Sequence, residues 1–263
     1  MFLENRKDRI MKRFLTLLLA TCCLFLGLTA LTATANSLKV GVLANNPPYT
    51  IQNHSGFDLA LSQQLAAKVK VIPQKSNSQL ITALKKGRVD LIICDVSLLS
   101  KQMSHSQSFL HPANVLFTRH DSKTKSILKL NQKKVGYLKN NPHHALLTTL
   151  ATKPQGFATE SALLTALNTG KIKAAILTDY QYNQLLAANP QLVTAQDETD
   201  QKQVGQVLTK ISDPKLTSQS LVVASFKKPR LQKKVNHKLK LLQDNGTLSK
   251  LSMKYFHQDW TYQ

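Results

Sequence analysis

Ser78–Ile93 (SQLITALKKGRVDLII) and Ser161–Leu177 (SALLTALNTGKIKAAIL) repeat one pattern: an amphipathic stretch, a glycine, a basic residue and a short apolar run. Leu80, Ala83 and Leu84 match Leu163, Ala166 and Leu167, each trio at the spacing of one helical face. Gly87 and Gly170 then stop the helices, and Ser78 reads as the cap of the first. The apolar runs beyond the glycines, Val89–Cys94 and Ala174–Leu177, suit buried strands. A helix feeding a strand implies βαβ units and a mostly parallel sheet. Two copies of it predict two similar α/β lobes in tandem.

The surrounding segments extend both copies. Leu38–Ala44 is a β-branched apolar run ending in Asn45-Asn46-Pro47-Pro48, as a strand ends in a turn. Asp58–Val69 has one apolar helical face, and Val69–Ile72 is a short strand candidate. In the second copy Lys134–Leu138 reads as a strand and His143–Leu150 as a helix. Ser220–Phe226 is a further strand, Arg230–Gln243 a strongly basic helix and Leu248–Phe256 a last short helix. Thr194–Gln219 is polar with weak alternation, and fits a hairpin or a loop equally.

Arg6, Lys7, Arg9, Lys12 and Arg13 precede an uncharged run, Phe14–Leu31, followed by Ala33-Thr34-Ala35. These are the parts of a secretory signal peptide. Residues 1–35 are therefore expected to be removed, and the protein exported to the periplasm or the outer face of the cytoplasmic membrane. An uncleaved anchor is one alternative, because the run lies at the lower length limit for a bilayer. Acylation at Cys22, whose context loosely resembles a lipobox, is another. Beyond the signal Cys94 is alone, which rules out an intramolecular disulfide.

The chain has 35 Lys+Arg against 14 Asp+Glu, a net charge of +21, and keeps +18 without residues 1–35. Such a surface is drawn to polyanions. For an exported protein these are acidic lipid headgroups and wall polymers. Nucleic acid is not expected as a partner: the lysines are scattered, and aromatics, which would stack bases, are only 6%.

The landmarks LKVGV, Pro47-Pro48-Tyr49, Gly56-Phe57-Asp58-Leu59, LITALKKGRVDLII, Lys134-Val135-Gly136, AAILTD and DNGTLSKLSMKYF follow one another from Leu38 to Phe256. In that order they resemble the bacterial solute-binding proteins of family 3, the polar-amino-acid receptors of ABC importers. The resemblance implies an α/β, two-lobed, periplasmic-binding-protein-like fold of type II. Each lobe would be a mostly parallel sheet with flanking helices, and two strands would form the hinge. Lobe one would comprise 36–114 plus 221–263, and lobe two the inserted 115–220. A small amino acid or amine would bind in the cleft at the carboxyl ends of the strands. Closure would then present a surface to an ABC permease. The resemblance implies a monomer that needs no cofactor and is not an enzyme.

It also implies site residues. Asp179, after AAILT, occupies the position that pairs with a ligand's α-ammonium group; a helix cap for Tyr180–Ala188 is the structural alternative. Tyr49 is a stacking or gating candidate, or a core residue under the turn. Asn140 and Asn141 stand where relatives bind ligand through backbone N–H groups, and Ser97 lies just past the VDLII strand. The family's carboxylate-clamping Arg is missing: Leu98–Ser108 contains none. A usual Gly is Asp95, the aromatic expected before Pro47 is Asn46, and the one expected near Asn77 is absent. Asp95 and Asp179 facing each other would select a cation; alternatively Asp95 caps a turn. His143-His144 invite a metal, but adjacent side chains rarely converge on one ion and no Cys or carboxylate is close in sequence, so no metal site is expected. Both are expected at the exposed start of a helix. A dehydratase on this scaffold is disfavoured by the missing Arg. A basic, envelope-attached interaction protein that no longer binds tightly remains the alternative.

Overall fold

The computed structural model describes residues 37–52, 54–193 and 207–262. The expected signal segment, 1–35, lies outside them, as does 194–206 of the segment read as hairpin or loop. Two five-stranded sheets are present. The first uses β1 (Leu38–Leu43), β2 (Val69–Gln74), β3 (Leu91–Asp95), β4 (Met103–His105) and β10 (Leu221–Phe226) in the order β2-β1-β3-β10-β4. The second uses β5 (Asn114–Arg119), β6 (Lys134–Leu138), β7 (Lys153–Phe157), β8 (Ala174–Thr178) and β9 (Leu208–Ile211) in the order β7-β6-β8-β5-β9. Three strands in each pair in parallel; β10 and β5 run against them, and each pairs with one outer strand of the common direction. Four of five strands in each sheet thus point one way, and the two orders are the same topology written twice.

Seven α-helices flank the sheets among the described residues: α1 (Phe57–Leu65), α2 (Asn77–Lys85), α3 (His143–Thr149), α4 (Glu160–Asn168), α5 (Asp179–Ala188), α6 (Pro229–Asp244) and α7 (Thr247–Phe256). The sequence repeat is α2–β3 and α4–β8. Gly87 and Gly170 follow their helices at φ +67° and +73°, a conformation that L side chains rarely adopt. The cap of α2 is Ser76, whose Oγ accepts from Gln79 N, and not Ser78. The helix starts earlier because Ser76 has the extended backbone that a cap requires.

Central strands are buried on both faces, so they lack polar alternation. In lobe one Val40, Val42, Leu91, Ile93, Leu221 and Val223 pack towards α1, α6 and α7; Ile92, Cys94 and Ala224 pack towards Leu80, Ala83 and Leu84 of α2. Lobe two repeats this: Ala175 and Leu177 meet Leu163, Ala166 and Leu167 of α4, while Ala174 and Ile176 face the cluster containing Leu147 of α3. No helix of the described residues is long and apolar enough to cross a membrane.

Candidate functional site

The repeat ends its strands at equivalent places, and there the halves differ. β8 ends at Thr178, whose hydroxyl accepts from Gln181 N in a capping box for α5. β3 ends at Asp95, whose Oδ1 accepts from Ser97 N at 2.8 Å and Ser97 Oγ at 2.5 Å, capping the short 3₁₀ turn Val96–Leu98. Asp95 Oδ2 accepts from Ser220 N at 3.0 Å, which ties the end of β3 to the start of β10.

A cleft opens at the end of β3, beside the end of β1 and the turn after β6. Leu43, Leu80, Ile93 and Leu221 give it apolar walls, and Asn46, Tyr49, Asp58, Asn77, Asp95, Asn140, Asn141 and Gln219 give it polar ones. Of the predicted residues Tyr49, Asp95, Asn140 and Asn141 come together here. The lining includes two carboxylates and no Lys, Arg or His among the described residues. Its volume of about 50 Å³ has room for a few waters. A solute the size of an amino acid enters only if the lobes part.

Asn77, at the start of α2, donates through Nδ2 to Asn140 O across the cleft at 3.2 Å. Asn141 Nδ2 donates to Gln181 Oε1 at 2.6 Å within lobe two. Tyr49 is both core and lining: it is 7% exposed, packs edge-on against Phe256 at 5.1 Å and borders the cleft. Burial raises its phenol pKa, and the nearby Asp58 and Asp95 raise it further.

Ser97 lies on the far side of Asp95, in a groove that shares Asp95, Pro142 and Gln219 with the cleft. Asp179 is not among the cleft residues. Its Oδ2 accepts from Asn183 Nδ2 at 2.9 Å and Gln258 Nε2 at 3.3 Å, and Lys210 Nζ is 3.9 Å from Oδ1. Nor is it the helix cap: Thr178 caps α5, and Asp179 is the first helical residue.

The two histidines diverge. His144 is exposed, but His143 is buried, contrary to expectation. Its Nε2 lies 2.9 Å from Asn114 Oδ1 and 3.2 Å from Gln219 Nε2, and a neutral ring nitrogen bonds one of them at a time. Burial pushes its pKa down to about 3. Among the described residues no group of three His, Cys, Asp or Glu is placed to hold a metal ion.

Sequence reasoning missed Asp58, Asn77 and Gln219 as cleft residues. Asp58 carried one signal, a carboxylate beside Phe57 on the buried face of α1.

The sequence profile of "Bacterial extracellular solute-binding proteins, family 3" matches residues 38–258. The "Arginine-binding extracellular protein ArtP" of Bacillus subtilis (strain 168) is 30% identical, over 94% of this chain and 98% of its own length. A "Probable histidine-binding protein" of Campylobacter jejuni is 29% identical, over 72% of this chain and 83% of its own. Among solved structures the substrate-binding protein of an amino acid ABC transporter superposes with a TM-score of 0.65 at 19% identity. That match covers 85% of this chain and 100% of the other.

Proposed function

The chain belongs to the bacterial extracellular solute-binding proteins of family 3, and from that premise we propose that it captures a cationic amine or basic amino acid between its lobes for an ABC permease. The observation that carries this reading is the charge of the cleft. A chain of net +21 lines it with Asp58 and Asp95 and, among the described residues, no basic side chain. A buried carboxylate without a partner is costly, so such a cleft favours a positive solute. The relatives named for arginine and for histidine agree with it.

Asp95 keeps room for a ligand N–H. A carboxylate offers about four lone-pair sites, and Ser97 and Ser220 take three. We assign the ammonium contact to Asp95 in preference to Asp179, whose carboxylate is taken up by Asn183, Gln258 and Lys210. Tyr49, Asn140 and Asn141 complete the walls, and Ser97 supports Asp95 from behind. The expected division at 114/115 and 220/221 falls within one residue of where the chain passes between the sheets, so the crossings near Ala113 and Ser220 act as the hinge. The exported chain works as a monomer and returns its solute unaltered. Its basic surface, including exposed Arg230, Lys233, Lys234 and Lys240 of α6, holds it near anionic headgroups or wall polymer.

Thermal-shift and calorimetric titration with arginine, lysine, histidine, agmatine and putrescine, against glutamate and glutamine, tests the reading. A bound cation at 100 times its dissociation constant adds about 2.7 kcal/mol. Preference for glutamate or glutamine, or no response to any cation, overturns it.

A further inference from the structure

We infer that Asp58 and Tyr49 form a subsite at the cleft floor that takes the distal cationic head, guanidinium or ammonium, of the solute's side chain. The inference rests on the reading of a cationic solute and adds where its charge is recognised.

Two polar atoms carry it. Asp58 Oδ1 and Tyr49 Oη are both buried, and neither has a hydrogen-bond partner among the described residues. Asp58 is 4% exposed and Tyr49 7%, and both residues border the cleft. An orphaned buried polar atom normally costs about 1–3 kcal/mol, so two in the lining of one cleft call for a partner that the cleft admits. Their backbones are fixed together, because Asp58 N donates to Tyr49 O at 2.9 Å. Both carboxylates act on the same neighbours: Asp58 and Asp95 raise the pKa of Tyr49 and of the Cys94 thiol, after burial itself. The two carboxyl groups therefore act on the same stretch of the cleft floor.

Alternative partners for Asp58 are lacking. Asp90 has Lys228 and Lys39 N, Asp121 has Arg119, and Asp244 has Lys240. No ion pair reaches Asp58 among the described residues. Its carboxyl is pushed up to about 7 by burial alone, since no basic side chain of the described residues offsets the cost of its charge. An N–H donor head placed between Oδ1 and Oη satisfies the acid and gives the phenol oxygen a donor. It also needs no Arg on the opposite wall.

The test compares solutes that differ only in this head. The purified chain, Asp58→Asn and Tyr49→Phe are titrated calorimetrically with L-arginine and L-citrulline, L-lysine and L-norleucine, and agmatine. Asp58→Asn keeps the shape of the side chain, Tyr49→Phe keeps the ring against Phe256, and melting curves confirm folding. The parent is expected to prefer the charged member of its best pair at least about 30-fold, the low end for truncating a buried charge pair. Asp58→Asn should bring that preference below about threefold, chiefly by weakening the charged member. Tyr49→Phe should lower cation affinity by about three- to tenfold. If the parent binds a cation and Asp58→Asn keeps the preference, the subsite is wrong and the reading of a cationic solute stands. If the parent binds none of the cations, both fall.

Discussion

His143 Nε2 lies 2.9 Å from Asn114 Oδ1, so the first turn of α3 is bonded to the point where the chain enters the second sheet. Gln219, just before the chain re-enters the first sheet, approaches the same nitrogen at 3.2 Å. Pro112 O accepts from Gln219 N, and Asn114 Nδ2 donates to Thr217 O, so the two crossings are also bonded to each other. One imidazole thus lies against both crossings.

His143 makes stability sensitive to acid. Its pKa falls from the ordinary 6.5 to about 3 on folding, so the unfolded chain binds the extra proton between those values. Stability from this group is full above pH 6.5 and is lost as pH falls towards 3. Between pH 6.5 and 5 the loss is about 2 kcal/mol. Urea unfolding of His143→Gln should show a flatter acid limb than the parent; parallel curves would refute the assignment.

Asp58 acts with the opposite sign. Its pKa rises from 3.8 to about 7 on folding, so the native state holds the extra proton in that window. Stability of the unliganded chain therefore declines as pH rises from about 4 to 7. Asp58→Asn should remove the decline and exceed the parent by about 1–3 kcal/mol at pH 7.5. A less stable variant at that pH would show that the carboxylate has a partner. Together with the calorimetry, this variant should be more stable and a poorer receptor.

Asn77→Ala removes the bond to Asn140 across the cleft. A hydrogen bond worth about 0.5–1.5 kcal/mol net corresponds to about two- to tenfold in affinity. X-ray scattering should show the unliganded variant more expanded than the parent. Unchanged affinity and unchanged dimensions would mean that this bond does not favour closure.

Asp179→Asn should change solute affinity less than about threefold, since the carboxylate's bonds to Asn183 and Gln258 lie outside the cleft. A loss of 30-fold or more would return the ammonium contact to Asp179.

Vesicle sedimentation addresses the basic surface. Binding to anionic vesicles should fall steeply between low and physiological salt, where exposed charges are screened beyond about 8 Å. Binding indifferent to salt would point to a specific partner instead.

The repeated helix–glycine–strand unit was legible because each part is local: Leu80, Ala83 and Leu84 mark a face, Gly87 a stop, and Leu91–Cys94 a run. Ser161–Leu177 said it again. β4 was not legible, because Met103–His105 is a strand only through its pairing with Phe226, Ser225 and Ala224. β7 (KPQGF) contains Pro and Gly and joins the sheet at its edge, where β6 supplies the pairing. The cleft followed the same rule. Tyr49, Asp95, Asn140 and Asn141 follow landmark strands or turns and could be placed by motif. Asp58 and His143 owe their roles to burial by distant segments, which no window around them records. Asp179 was in the right motif, but Gln258, far along the chain, engages its carboxylate.

Asp95 and Thr178 end equivalent strands, and each accepts a backbone N–H from the turn that follows. A hydroxyl suffices for that task, as Thr178 demonstrates, so the negative charge at Asp95 is surplus to capping. The electrical polarity of the cleft is therefore written in part at a position that either half could have filled with a neutral side chain. A solute-binding protein built this way can change the sign of what it admits without rebuilding the backbone that holds its lobes together.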